Sequence, residues 1–144
     1  MPIQTVLSEK AFAPTTGILT HARIASGIIF TSGQIGADTT GAIVSESVAS
    51  QAEQTIRNLE SVLKDCGSSL DYVMNANIFL ADPAYYAEFN EVYSRITTQT
   101  PRHEVDFAQI MPDPKPPRTC VFVGLGAGVF TVKCEMNFQA AVSD

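Results

Sequence analysis

Arg118 stands directly after Pro116-Pro117 and opens the β-branched run Arg118-Thr-Cys-Val-Phe-Val-Gly124. A guanidinium fixed at the head of a strand presents a planar fork, which suits a carboxylate bound through two parallel hydrogen bonds. Taken alone, an arginine in such a place is more often a surface or salt-bridged residue. Cys120, two positions on, points to the same side of its strand as Arg118, where a free thiol is more often a small packing group than a reactive one. In Val132-Lys-Cys-Glu-Met136 the alternation puts Lys133 and Glu135 on one face and the apolar residues on the other. Either could move a proton beside a bound acid, the work of general acid–base catalysis. Ser32-Gly33-Gln34 either brings a hydroxyl and bare backbone close to a ligand or simply ends a strand in a turn. His21 and His103 are far apart and form no metal-ligand pattern. Cys66, Cys120 and Cys134 contain no C-x-x-C pair, so they read as free thiols of a reducing compartment. No cofactor and no metal is expected.

These side chains need a frame to hold them. Gly27–Ile35 is β-branched and aromatic, and pairs as a hairpin with Ile18–Ala25 through Ser26-Gly27; Asp38-Thr-Thr-Gly41 follows as a turn. From Ser47 the period changes. Val48, Ala52, Ile56, Leu59, Val62, Leu63 and Cys66 recur at helical spacing, with Gln51, Glu53, Arg57, Glu60 and Lys64 elsewhere on the wheel and Gly67 as the stop. Tyr72–Leu80 has the composition of a strand. Asp82-Pro83 then caps a second helix over 83–97, which carries Asn90 and presents Tyr86, Phe89, Tyr93 and Ile96 along one face.

Five of the chain's 8 prolines fall between Pro101 and Pro117, so 97–117 reads as a long loop. Residues 118–124 and 129–138 read as a final hairpin joined by Gly124-Leu-Gly-Ala-Gly128. The order β-β-α-β-α-β-β predicts an α+β domain with one mixed sheet and both helices on a single face. The other face needs cover, and a second copy of the chain is the expected source.

The 144 residues fit one domain, 1–144, and a net charge of −6 repels phosphate backbones and anionic headgroups. Nucleic acid and membrane are therefore not expected as partners. The first ten residues resemble neither a secretory leader nor a transit peptide, and the expectation is a cytoplasmic protein.

Phe30-Thr-Ser-Gly-Gln-Ile35, Gln54-Thr-Ile-Arg-Asn-Leu59, Val62-Leu-Lys-Asp-Cys-Gly67, Asn90-Glu-Val-Tyr93 and Pro117-Arg-Thr-Cys-Val121 occur in this order and together resemble the Rid (YjgF) family of reactive-intermediate deaminases. The resemblance implies a chorismate-mutase-like fold, a homotrimer, and clefts between subunits. It implies a small carboxylate-bearing substrate, a 2-imino or 2-enamino acid hydrolysed to the 2-keto acid and ammonia. Arg118 matches the family's carboxylate anchor and Asn90 a cleft residue, while Ser32, Gly33 and Cys120 fall where the cleft is lined.

Three departures bear on chemistry. Leu19 replaces a tyrosine the family often carries, exchanging a phenol for an apolar wall. Counted without gaps, the position of the family's cleft glutamate falls on Lys133; a shift in the glycine-rich turn would place Glu135 there instead. The ungapped reading makes fewer assumptions. It leaves Lys133 as a base or Schiff-base nucleophile, or, more mundanely, as part of an anion site or a partner of Glu135. Finally, loop 97–117 is roughly ten residues longer than the family pattern, a length often found in lids and binding loops, and Phe107, Ile110 or Met111 would cover the cleft. Three functions follow: an imine or enamine deaminase, a non-catalytic carboxylate-binding protein, or an isomerase- or cyclase-type biosynthetic enzyme in the remodelled cleft.

Overall fold

The computed structural model describes residues 2–13, 17–95, 111–125 and 131–144. Among them, seven strands form one mixed sheet: β1 (Gln4–Val6), β2 (Ala22–Ala25), β3 (Ile28–Thr31), β4 (Gln34–Ile35), β5 (Val73–Leu80), β6 (Arg118–Phe122) and β7 (Cys134–Ala141). Two helices, α1 (Val48–Asp65) and α2 (Tyr86–Ser94), complete the α+β architecture. The strand order is β1-β2-β3-β7-β5-β6, with β4 also on β7.

The expected hairpin at Ser26-Gly27 is present, and both residues have positive φ, 51° and 77°. That geometry lets the turn follow the strand twist. The hairpin expected between the last two strands does not form. Instead β7 lies between β3 and β5, antiparallel to both, while β6 pairs with β5 in parallel at the sheet edge. Period-two alternation and a glycine-rich connection are common to both arrangements. The difference lies in burial: Cys134, Met136, Phe138 and Ala140 of β7 are all buried, whereas Thr119, Val121 and Phe122 of β6 are exposed. A central strand and an edge strand cannot share a simple hairpin here, because β5 already occupies the intervening place.

The core lies on the helix-covered face. Ile56, Leu59, Val62 and Leu63 of α1 meet Ile29, Ile78, Leu80, Met136 and Phe138 from the sheet, all essentially inaccessible. Each such side chain contributes about 1.5–3 kcal/mol. Ser47 caps α1 by accepting from the Ser50 N–H. At the other end, Gly67 (φ 75°) sends its N–H to the Lys64 carbonyl and the Ser68 N–H returns to Leu63, a Schellman closure. The helix expected over 83–97 starts as a short 3₁₀ turn, Pro83–Tyr85, capped by Asp82, before continuing as α2. Phe89, Val92 and Tyr93 are its buried residues, whereas Tyr86 is exposed and Ile96 lies outside the described residues.

Two expectations fail at particular side chains. Gln51, placed by its spacing off the one buried stripe of α1, is fully buried. Its amide donates to the Ser45 and Thr131 carbonyls and accepts from the Lys133 N–H, so three backbone groups compensate its desolvation. Met111, expected over the cleft, is fully buried in the core. Its thioether side chain fills that interior while its carbonyl receives the Lys115 ammonium. Phe107 and Ile110, the other proposed cover, lie outside the described residues.

Candidate functional site

Arg118 opens β6 opposite Ala76 of β5, and Cys120 stands opposite Ile78. Ala76 and Ile78 are buried on the helix side, so Arg118 and Cys120 point toward the helices. There the Arg118 Nη2 donates to Asn90 Oδ1 at 2.7 Å and to the Tyr86 hydroxyl at 3.4 Å. The guanidinium carbon lies 4.9 Å from the centroid of the Tyr93 ring and 5.9 Å from that of Tyr86. Helix α2 thus pins one edge of the fork and stacks on its face. Nε and Nη1 have no hydrogen-bond partner among the described residues. Burial raises the Tyr93 phenol and the Cys120 thiol above their ordinary values, against the opposing pull of the Arg118 charge. Cys120 is accordingly a protonated packing group, half-buried against the core.

A second cluster forms on the opposite face. Ladder β3–β7 sets Phe30 against Gln139, and β4 sets Gln34 against Met136: four residues on one side span three on the other. The extra residue is accommodated at Ser32-Gly33, a bulge that re-aims the chain. Gly33 then lies against the Glu135 carboxyl, so closely that a Cβ there would come within 2.9 Å of it. Phe12, Leu19, Gly33, Gln34, Ile35 and Glu135 enclose a cavity of about 150 Å³. Three of these six are apolar side chains, and burial raises the Glu135 carboxyl above its ordinary range. Gln34 is buried; its Nε2 donates to the Phe12 carbonyl, and its Oε1 has no partner among the described residues. His21 accepts the Ser8 N–H at Nδ1 and its Nε2 meets the same Phe12 carbonyl, fixing the segment that carries Phe12 into the cavity wall. The Ser32 hydroxyl turns away to the His21 carbonyl at 3.4 Å.

Lys133 does not line this cavity. It precedes β7, and its ammonium donates to the Glu46 carbonyl and sits 5.3 Å from the Tyr85 ring centroid. Glu135, two residues on, belongs to the open face of the sheet opposite Phe79. Within the protomer, Lys133 and Glu135 therefore have separate surroundings. The expected residues resolve into two groups, Arg118 with Asn90 on one side and Glu135 with Gly33 and Leu19 on the other. Gln51 and Tyr93, read from sequence as helix positions and given no role in a site, support these groups. A buried glutamine that serves backbone carbonyls leaves no periodic signal. No group of three or more His, Cys, Asp or Glu among the described residues is placed to hold a metal ion.

A family model described as Endoribonuclease L-PSP matches residues 9–142. The chain belongs to this family, the Rid (YjgF) proteins. Protein HMF1 of Saccharomyces cerevisiae is 39% identical over 139 residues, covering 96% of this chain and 95% of that one. The protein named 2-iminobutanoate/2-iminopropanoate deaminase of Rattus norvegicus is 33% identical over 92 residues, covering 63% and 67%. The crystal structure of RidA from the Antarctic bacterium Psychrobacter sp. PAMC 21119 superposes with a TM-score of 0.79 at 26% identity, over 96% of this chain and 99% of that one. The family's single mixed sheet with two helices is the fold described above.

Proposed function

We propose that this Rid protein is an imine or enamine deaminase whose clefts are completed between subunits. The observation that carries the reading is the half-buried Glu135 carboxyl, with raised proton affinity, in a small cavity with Gly33 and the apolar wall of Leu19 and Phe12. Desolvation that raises a carboxyl's proton affinity moves it toward the range in which it can serve as a general acid. Leu19, where the resemblance led us to expect a phenol, keeps that acid dry.

In the reaction, Arg118 holds the carboxylate of a 2-imino acid, and Glu135 delivers a proton to the imine nitrogen as water adds to the carbon. The added water returns one proton to Glu135, giving the carbinolamine. Glu135 then protonates the amine nitrogen and takes the hydroxyl proton as the carbonyl forms, so that ammonia leaves and Glu135 ends protonated. Glu135, not Lys133, is assigned the proton transfer, because the Lys133 ammonium is engaged with Glu46.

One protomer does not bring these groups together. Arg118 and Glu135 project from opposite faces of the sheet, with β5 between their strands, about 10 Å sideways and roughly another 10 Å along the strand direction. A second copy supplies the missing half. The open face supports such an assembly, since it exposes Phe30 and Val121 beside the amide pairs Asn75–Gln139 and Asn77–Asn137. The homotrimer implied by the family is the proposed form. A net charge of −6 speaks against a polyanionic RNA substrate.

The test is ammonia release from freshly generated 2-iminobutyrate by the wild-type protein, Arg118→Ala and Glu135→Gln. Loss of turnover in both variants, with folding retained, is expected. A folded wild-type protein that binds 2-oxobutyrate through Arg118 but releases no ammonia from any imino acid would replace the enzyme with a carboxylate-binding protein.

A further inference from the structure

The cavity beside Arg118 has a second cation in its wall and more unused hydrogen-bonding capacity than one carboxylate consumes. It is an open space of about 320 Å³ lined by Asn90, Tyr93, Ser94, Lys115, Pro116 and Arg118. Two of the six are cations. Lys115 Nζ donates to Asp113 Oδ1 at 2.7 Å and to the Met111 carbonyl at 3.4 Å. An ammonium has three donors, so one remains without a partner among the described residues. Asp113 is the more exposed partner, its side chain 48% accessible against 24% for Lys115, and it does not line the cavity. The Lys115 stem is positioned by the fold, because Met111, whose carbonyl it meets, is fully buried in the core.

Tyr93 adds an independent observation. It is 3% exposed, and its hydroxyl is buried with no partner among the described residues. A buried hydroxyl left unsatisfied is costly unless a ligand or water meets it.

Resting on the reading of Arg118 as a carboxylate anchor, we propose that this cavity is a two-anion site in which Arg118 takes one carboxylate and Lys115 a second. The preferred ligand is then a small 2-oxo or 2-imino diacid, not a monoacid. Asp113 offsets Lys115 from outside the cavity, and a diacid adds a second carboxylate within it, which a monoacid bound to Arg118 does not. Lys115 supplies a charged donor for the second acid group, and Tyr93, whose hydroxyl has no partner among the described residues, lines the same space. The cavity around Glu135 offers a second acid group nothing, because Phe12, Leu19 and Ile35 wall it. A cavity of a few hundred Å³ is in the size range of small-ligand sites.

Calorimetric titration of the full chain with 2-oxoglutarate and 2-oxopentanoate isolates the distal carboxylate, since both have five carbons in a chain. The diacid is expected to bind about tenfold more tightly, the size of one charge-assisted hydrogen bond. Lys115→Met should bring the two within about twofold by weakening the diacid alone, and Lys115→Arg should restore part of the preference. Circular dichroism confirms that each variant is folded. Equal affinities in the wild-type protein, no diacid binding, or equal weakening of both ligands by Lys115→Met would overturn the proposal. Because binding is measured, a preference for the diacid without ammonia release would sink the deaminase reading and leave this one standing. Turnover of monoacid imines without any diacid preference would do the reverse.

Discussion

Arg118 and Glu135 owe their readiness to opposite devices. Arg118 is held by contacts: Asn90 and Tyr86 fix one end of the fork and Tyr93 supports its face. Arg118→Lys retains the charge but loses the fork and the stacked plane. It is expected to lower kcat/KM on a 2-imino acid about 10- to 100-fold, chiefly through KM, in steady-state assays. Glu135 is prepared by desolvation, which sets a pH dependence of stability. Its folded proton affinity exceeds that of the unfolded chain, so the stability linked to it is complete below the ordinary carboxyl range. That stability is lost as pH rises through the raised value, where ionisation in the folded state becomes unfavourable. Glu135→Gln does not ionise. Its urea midpoint, measured against the wild-type protein, should therefore gain as pH rises above the ordinary carboxyl range, about pH 4. A difference that stays constant with pH would show that Glu135 is not desolvated.

At the scale of elements, the site depends on how α1 seats against β4 and β7. Asn58 donates to the Ile35 and Ala37 carbonyls, and Gln51 ties α1 to Thr131 and Lys133, which lead into Glu135. Gly36 permits this approach. A Cβ at Gly36 would lie 2.6 Å from the Gln51 Cα, a backbone atom of the helix that cannot swing aside. Gly36→Ala should therefore destabilise the fold by about 1–3 kcal/mol, read from urea denaturation, as overpacking does. At Gly33 the obstructing atoms are the flexible end of Glu135, so Gly33→Ala should leave the urea midpoint nearly unchanged while displacing the carboxyl and reducing turnover. The contrast tests whether these glycines serve packing and chemistry respectively.

Elements of this kind differ in how far a sequence reveals them. Helix α1 was legible because its apolar spacing and its Gly67 stop agree with one another. The hairpin at Ser26-Gly27 was legible for the same reason. The placement of β7 between β3 and β5 was not, because alternation fixes which way side chains point and says nothing of which strand lies alongside. The same limit governs the pair Lys133 and Glu135. The burial alternation does continue through Val132, Lys133, Cys134 and Glu135, but it could not show that the Lys133 side chain reaches the Glu46 carbonyl while Glu135 lines the cavity with Gly33. Arg118 stood out as a residue type in a fitting position. Lys115 and Tyr93 did not, since their meaning arises from a cavity shared by segments distant in sequence.

For the molecule as a whole, the decisive question is whether one chain or two make a cleft, and the opposite facing of Arg118 and Glu135 allows a direct answer. In a cyclic trimer with shared clefts, each site takes Arg118 from one subunit and Glu135 from its neighbour. Arg118→Ala and Glu135→Gln homotrimers each lack one group at every site and should be inactive. If the two variants are unfolded together, mixed equally and refolded, trimers of both mixed compositions contain one interface with an intact pair. Random assembly then restores about a quarter of the wild-type sites, and ammonia release should recover to about that level. Mixing the folded variants without subunit exchange should restore nothing. Sites contained within single subunits would give no recovery under either protocol, because every chain would still lack one of the two groups. The recovered fraction therefore reports the geometry of the cleft separately from the rate of its chemistry.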